Sequence, residues 1–174
     1  HSLSHDTIWA IYEDRSGVLW IGTEQGLNMC DLQAKPFLHY QADPKDPHGL
    51  SDNYVSAFYE DRSGALWIGS NKGLDKLARR NGQEYVRHYR HDPGDPQSLS
   101  HNEVLSIYED RAGTLWIGTY GGGLNKLLLN NFEENKGNEI DREVISFHRY
   151  QHNPHDSQSL SNNYVLSIYE DRTG

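Results

Sequence analysis

Tyr108-Glu109-Asp110-Arg111-Ala112-Gly113-Thr114-Leu115-Trp116-Ile117-Gly118-Thr119 decides the fold, because the chain writes this stretch again and again. Tyr-Glu-Asp-Arg-x-Gly stands at Tyr12 to Gly17, Tyr59 to Gly64, Tyr108 to Gly113 and Tyr169 to Gly174, at intervals of 47, 49 and 61 residues. Leu-Trp-Ile-Gly follows the first three copies, at Leu19 to Gly22, Leu66 to Gly69 and Leu115 to Gly118. A fixed period of this length is the signature of a repeat architecture, and it takes precedence over any single motif.

Working outward, each unit continues as Gly-Leu-Asn/Asp, a variable stretch, an aromatic segment ending at Tyr40, Tyr89 or Tyr150, an Asp/Asn-Pro loop, and Leu-Ser before the next block. The units run over 3–49, 50–98 and 99–159, and 160–174 begins a fourth. From the Leu-Ser leucine to the block tyrosine is always 9 residues, and from that tyrosine to the tryptophan always 8. Length varies between the Gly-Leu leucine and the late tyrosine: 13, 15 and 26 residues. One outer hairpin therefore takes the insertions, the largest being the acidic stretch 131–143.

Ile8, Ala10 and Tyr12 fall on one face of an extended segment and Trp9 and Ile11 on the other, which predicts a first strand buried on both sides. Asp14-Arg15-Ser16-Gly17 supplies turn chemistry before a second strand over 19–23. Gly26 or Gly73 opens a third strand, and Phe37 to Tyr40, Tyr85 to Tyr89 and Ser146 to Tyr150 give a fourth. The apolar runs are too short for a helical repeat, whose units need about 10 to 15 residues of 3.6 periodicity. The pattern predicts an all-β fold of β-propeller blades, each of four antiparallel strands, with three complete repeats plus the first strand of a fourth.

Charge narrows the function. Sixteen Lys and Arg stand against 25 Asp and Glu, a net charge of −9 with histidine neutral, which disfavours nucleic acid as a partner. No apolar run approaches the roughly 18 to 20 residues that cross a bilayer as a helix, so no membrane contact is expected within the chain. No basic and apolar leader opens the sequence at His1, so a signal peptide is expected to be absent or already removed. The single cysteine, Cys30, excludes an intrachain disulfide and is expected to be a small buried hydrophobe in the place of Leu77 and Leu127; Met29, in the place of Lys76 and Lys126, is expected at a surface or contact position.

The linked motifs resemble the two-component regulator propeller repeat: Val/Ile-x-x-Ile/Phe-Tyr-Glu-Asp-Arg-x-Gly-x-Leu-Trp-Ile-Gly-Thr/Ser, then Gly-Leu-Asn/Asp, a Tyr, Asp-Pro and Ser-Leu-Ser, with the best copy over 98–127. The resemblance implies a sensor region of a membrane-bound two-component histidine kinase, on the periplasmic or extracellular side of the membrane. It also implies a signalling role without enzymatic activity in this chain, binding a ligand such as a saccharide or a partner domain. Two rivals stand beside it: a protein-interaction scaffold without a small ligand, and a propeller polysaccharide lyase or glycosidase.

A scaffold obeys a repeat and a binding site breaks it. Trp20, Trp67 and Trp116 recur in one setting and are expected to pack between blades. The pairs Glu13-Asp14, Glu60-Asp61 and Glu109-Asp110 recur too: the aspartates are expected to accept backbone N–H groups in the next turn, and Arg15, Arg62 and Arg111 to pair with acidic neighbours or cover aromatic surface. His88, His91, His148 and His152 follow no metal-ligand spacing and are expected to be solvated. The Asp43 to Pro47 and Asp92 to Pro96 segments lack a calcium-loop pattern and are expected to connect blades, while Gly121-Gly122-Gly123 reads as a tight turn. No catalytic, metal or cofactor residue is assigned. The units differ at matched register at Trp9, Ser56, Leu105 and Leu166, and in the turns Glu24-Gln25, Asn71-Lys72 and Tyr120-Gly121. Candidate ligand or partner contacts are therefore Trp9, Glu24, Lys72 and Tyr120.

Three blades are fewer than the four to eight that close a propeller. Self-association is one expected remedy, with Tyr164 to Asp171 of one copy replacing Thr7 to Asp14 of another. A longer propeller is the other.

Overall fold

The structure, a computed structural model, describes residues 2–31, 37–46, 48–80, 82–130 and 144–172. Twelve strands run among them: β1 (Ile8–Glu13), β2 (Val18–Thr23), β3 (Gly26–Asp31), β4 (Phe37–Tyr40), β5 (Val55–Glu60), β6 (Leu66–Ser70), β7 (Gly73–Arg80), β8 (Gln83–Tyr89), β9 (Val104–Glu109), β10 (Leu115–Thr119), β11 (Gly123–Asn130) and β12 (Val144–Tyr150). They form three four-stranded antiparallel meanders, β1 to β4, β5 to β8 and β9 to β12, each matching one sequence unit. The insertion 131–143 lies outside the described residues.

The blades stack through two apolar seams. Trp20 and Leu27 of the first blade pack with Leu50, Val55, Leu66, Ile68 and Leu77 of the second. Trp67 and Leu74 of the second pack with Leu99, Val104, Leu115, Ile117, Leu127 and Phe147 in the third unit. Close approach depends on the glycine of Leu-Trp-Ile-Gly: a Cβ on Gly69 would sit 2.6 Å from Val104 Cγ1, and one on Gly22 would sit 2.9 Å from the Val55 carbonyl oxygen. The next blade's first strand lies against that bare backbone.

Two expectations are corrected by the ends of the stack. Residues 164–171 do not form the first strand of a fourth blade. They make one isolated bridge, Tyr120 to Tyr164. They nevertheless lie where such a strand would lie: the Val165 nitrogen donates to the Thr119 carbonyl at 3.2 Å, and Val165 faces Gly118 as Val55 faces Gly22. Among the described residues they have no hairpin partner, whereas β1, β5 and β9 each take their ladder from the strand that follows. The other correction concerns the first blade. β1 is not buried on both sides, because no described unit covers the face that β5 and β9 present to a neighbour; Ile11 is 61% exposed. Cys30 is likewise half-buried, whereas Leu77 and Leu127 at the same register are buried in the seams. Met29 packs at the edge of the first seam, a contact position as expected.

Candidate functional site

The repeat-invariant residues turn out to be fastenings. In each block the aspartate carboxylate organises the following turn and holds the tryptophan. Asp61 Oδ1 accepts from the Ser63 and Ala65 nitrogens at 2.8 and 3.1 Å, while Oδ2 accepts from Trp67 Nε1 at 2.8 Å. Asp14 holds Trp20 and Asp110 holds Trp116 in the same way, each at 2.8 Å. Burial alone would raise the Asp14 carboxyl, but hydrogen bonds from Ser16, Trp20 and Val18 outweigh it and lower its pKa; Asp110 is lowered by the same balance. Each indole then leans on the late tyrosine of its own blade: Trp20 on Tyr40, Trp67 on Tyr89 and Trp116 on Tyr150, with ring centroids 5.7 to 5.8 Å apart.

The arginines latch one blade to the next. Arg62 Nε lies 3.7 Å from Glu109, and its Nη2 donates to the carbonyls of Asp110 and Arg111 at 3.0 and 2.9 Å. Arg15 reaches Glu60 and the Asp61 carbonyl, and Arg111 reaches Glu170, Asp171 and Arg172. The inter-blade crevice beside the second latch, about 540 Å³, recurs between the first two blades. Its walls obey the repeat, which marks it as scaffold.

Histidine chemistry is partly structural: His148 and His152 are exposed, as expected of solvated side chains, whereas His88 and His91 are half-buried, and for them the expectation is corrected. His91 and His152 put Nδ1 within 2.8 and 2.7 Å of the Leu99 and Leu160 carbonyls and so tie the Asx-Pro loops to the Leu-Ser segments. His88 Nδ1 is 2.7 Å from Asp75 Oδ1 and 3.0 Å from Ser51 Oγ. Ser51, His88 and Asp75 are not a nucleophilic triad, because serine and carboxylate share one ring nitrogen and leave no relay across the imidazole. Asp75 stands where Asn28 and Asn125 stand, and all three fasten a Leu-Ser segment: Asn28 to Ser4, Asp75 to Ser51, Asn125 to Ser100. No group of three or more metal-ligating side chains occurs among the described residues. The connector loops are built of Asx turns, with Asp43, Asp46, Asp92 and Asp95 each accepting from a nitrogen two residues on. Gly121 and Gly123 take φ of +93° and +80° in the turn onto β11.

The repeat breaks at the other end of the sheets. There the start of each first strand lies beside the second-to-third strand turn, as Ile8 pairs with Thr23 and Val55 with Ser70. Each first strand carries a register shift at its second residue, so Trp9, Ser56 and Leu105 occupy irregular positions that interrupt the pleat. Trp9, 48% exposed, rests on Tyr54 of the next unit with centroids 5.0 Å apart. Tyr120, 47% exposed, meets Tyr164 edge-on at 4.5 Å. Glu24 lies 3.7 Å from His5 Nδ1, and Lys72 lies 3.3 Å from Asp52.

Four candidates therefore share one end of the molecule, but not one pocket: Trp9 and Glu24 fall near the first and second units, Tyr120 at the third, and Lys72 is occupied by its own neighbour. Two further residues join them that sequence reasoning missed, Tyr54 and Glu103. Burial raises the Tyr54 phenol pKa, and the charges of Glu24 and Glu103 raise it further. The Glu103 carbonyl accepts from the Tyr120 nitrogen at 2.9 Å, which places this residue between the two aromatic pairs. The signal was available: the matched register reads Thr7, Tyr54, Glu103 and Tyr164, three residue types in four positions.

Comparison with known proteins supports the architecture. The family described as two component regulator propeller matches residues 2–25, 49–72 and 98–121, one stretch in each of the three units. The extracellular domain of a protein described as a hybrid two component system, from B. thetaiotaomicron, is 27% identical, with a TM-score of 0.68 over 85% of this chain and 19% of its own. Another extracellular domain from B. thetaiotaomicron, described as belonging to a one component system, aligns at 23% identity and a TM-score of 0.69 over 98% of this chain and 20% of that one. The chain thus spans about a fifth of either structure. Virginiamycin B lyase from Staphylococcus aureus shares the fold at 16% identity and a TM-score of 0.53, over 84% of this chain and 42% of its own. No curated protein matches the sequence.

Proposed function

We propose that this chain, a run of two-component regulator propeller repeats, is part of the extracytoplasmic sensor region of a signalling protein, and that it binds a saccharide on the rim formed by Trp9, Tyr54 and Glu103. The observation that carries the reading is the division of the molecule. Chemistry repeated from unit to unit is consumed in fastening blades, while the partly exposed aromatic pairs stand where the units differ. Aromatic faces suit the apolar face of a pyranose, and neighbouring carboxylates accept from its hydroxyls. The two-component repeats, and a structural relative described as an extracellular domain of a hybrid two component system, support the sensor setting.

The test is calorimetric titration with cellotetraose, mannotetraose, glucosamine tetramer and galacturonate tetramer. At least one is expected to bind, and Trp9→Ala to weaken it about tenfold or more, the loss of one stacking face. Absence of binding by all four, or binding indifferent to Trp9, would overturn the reading in favour of a scaffold that recognises proteins.

Self-association is the second reading, favoured by residues 164–171 lying on the third blade with the contacts of a first strand but without its ladder. In a second copy those residues would pair with β2 in place of Thr7 to Asp14. Light scattering at several concentrations would show twice the mass of one chain; a single-chain mass throughout would exclude the exchange.

A further inference from the structure

The rim carries an acidic residue whose carboxylate is not balanced by a described cation. Of the described basic side chains at this end, Lys72 is paired with Asp52 at 3.3 Å, His5 lies 3.7 Å from Glu24, and His101 turns its Nδ1 to the Glu103 nitrogen. Glu103 makes no ion pair with a described lysine, arginine or histidine, and its backbone is anchored at both groups, the nitrogen donating to His101 Nδ1 at 3.1 Å and the carbonyl accepting from Tyr120. The residue is half-buried and touches both aromatic pairs indirectly: its backbone carbonyl holds the Tyr120 nitrogen, and its charge acts on the Tyr54 phenol. An unneutralised carboxylate near partly exposed aromatic faces is complementary to an ammonium group: the carboxylate takes the charge-assisted hydrogen bond, and the rings add cation–π attraction. A uronate or sulfated sugar would instead meet like charge, in a chain whose net charge is already −9.

Resting on the saccharide reading above, we infer that the rim recognises an amine-bearing sugar, with Glu103 as the residue that selects the ammonium and Trp9 and Tyr54 as the platform under the ring. Glycans with acetylated or missing amines keep the stacking and lose the ion pair. Acidic glycans lose both.

Calorimetry in mildly acidic, low-salt buffer tests this with glucosamine tetramer, its N-acetylated counterpart, cellotetraose and galacturonate tetramer. Glucosamine tetramer is expected to bind about tenfold tighter than the N-acetylated and neutral tetramers, the scale of one charge-assisted contact. Glu103→Gln should abolish that preference, bringing glucosamine tetramer and the neutral tetramers to the same affinity, and Glu103→Lys should turn the preference toward galacturonate. Circular dichroism establishes that both variants are folded; should Glu103→Gln be unfolded, the wild-type ranking and its loss at high salt decide. If cellotetraose binds through Trp9 but the amine confers no advantage, or if Glu103→Gln keeps the preference, this inference is overturned and the saccharide reading stands. If none of the tetramers binds, both fall.

Discussion

Trp67 Nε1 and Asp61 Oδ2 are 2.8 Å apart inside the second blade, with the indole 1% exposed and the carboxylate nearly as deep. The bond joins the block aspartate to the Leu-Trp-Ile-Gly tryptophan and sets the turn, the tryptophan and the seam to the third blade at once.

Removing the acceptor should therefore cost more than removing the donor. Asp61→Ala leaves two backbone nitrogens and a buried indole N–H unsatisfied, and is expected to destabilise by about 3 kcal/mol or more. Trp67→Phe keeps the turn and loses one bond plus some packing, about 2 kcal/mol. Urea denaturation midpoints give the ranking; a smaller loss for Asp61→Ala than for Trp67→Phe would contradict it.

The latch is weaker because it is wet. Arg62 is more than half exposed even though Glu109 is buried, so Arg62→Ala should cost about 1 kcal/mol, partly recovered in high salt. Arg62→Lys should not rescue it, since an ammonium cannot span Glu109 and two carbonyls as the planar guanidinium does. Full rescue by lysine would reduce the latch to a simple charge pair.

Acid should loosen the turns. Asp14 and Asp110 have carboxyl pKa values below the unfolded value, so their stabilisation is present above about pH 4 and is lost as pH falls through the lowered folded value. Asn at position 14 should flatten stability in that window. An unchanged acid limb would show that other carboxylates govern acid unfolding.

Alkali should act on a blade contact. Burial, and secondarily Glu84, which accepts from the Tyr40 hydroxyl at 3.1 Å, push the Tyr40 phenol up to about 12. A raised folded value means stabilisation intact below the unfolded value of about 10 and lost as pH rises toward the folded one. Tyr40→Phe should remove that part of the alkaline decline, followed by thermal unfolding across the range.

Much of this was legible in the sequence. The Tyr-Glu-Asp-Arg block, the tryptophan and the invariant spacings predicted three four-stranded units and the roles of Asp61, Trp67 and Arg62 before any coordinates. What escaped depends on neighbours that a repeat pattern does not encode. Residues 164–171 share the first-strand sequence but have no described partner to form a ladder with, and Cys30 shares the register of Leu77 without a blade to cover it. The histidine ties depend on carbonyls 8 residues away in sequence and across a loop. Tyr54 and Glu103 escaped because each precedes its first strand by one residue, two positions before the Trp9 register, and becomes a rim residue only through neighbours in other units.

The most direct test of the division between fastening and recognition is to map backbone amide shifts during titration with whichever tetramer binds most tightly. The account predicts shifts clustered at residues 8–9, 24, 54, 103 and 120, with the amides around Asp61, Arg62 and Gly113 unmoved. Shifts centred on those latch residues, with the rim silent, would contradict it.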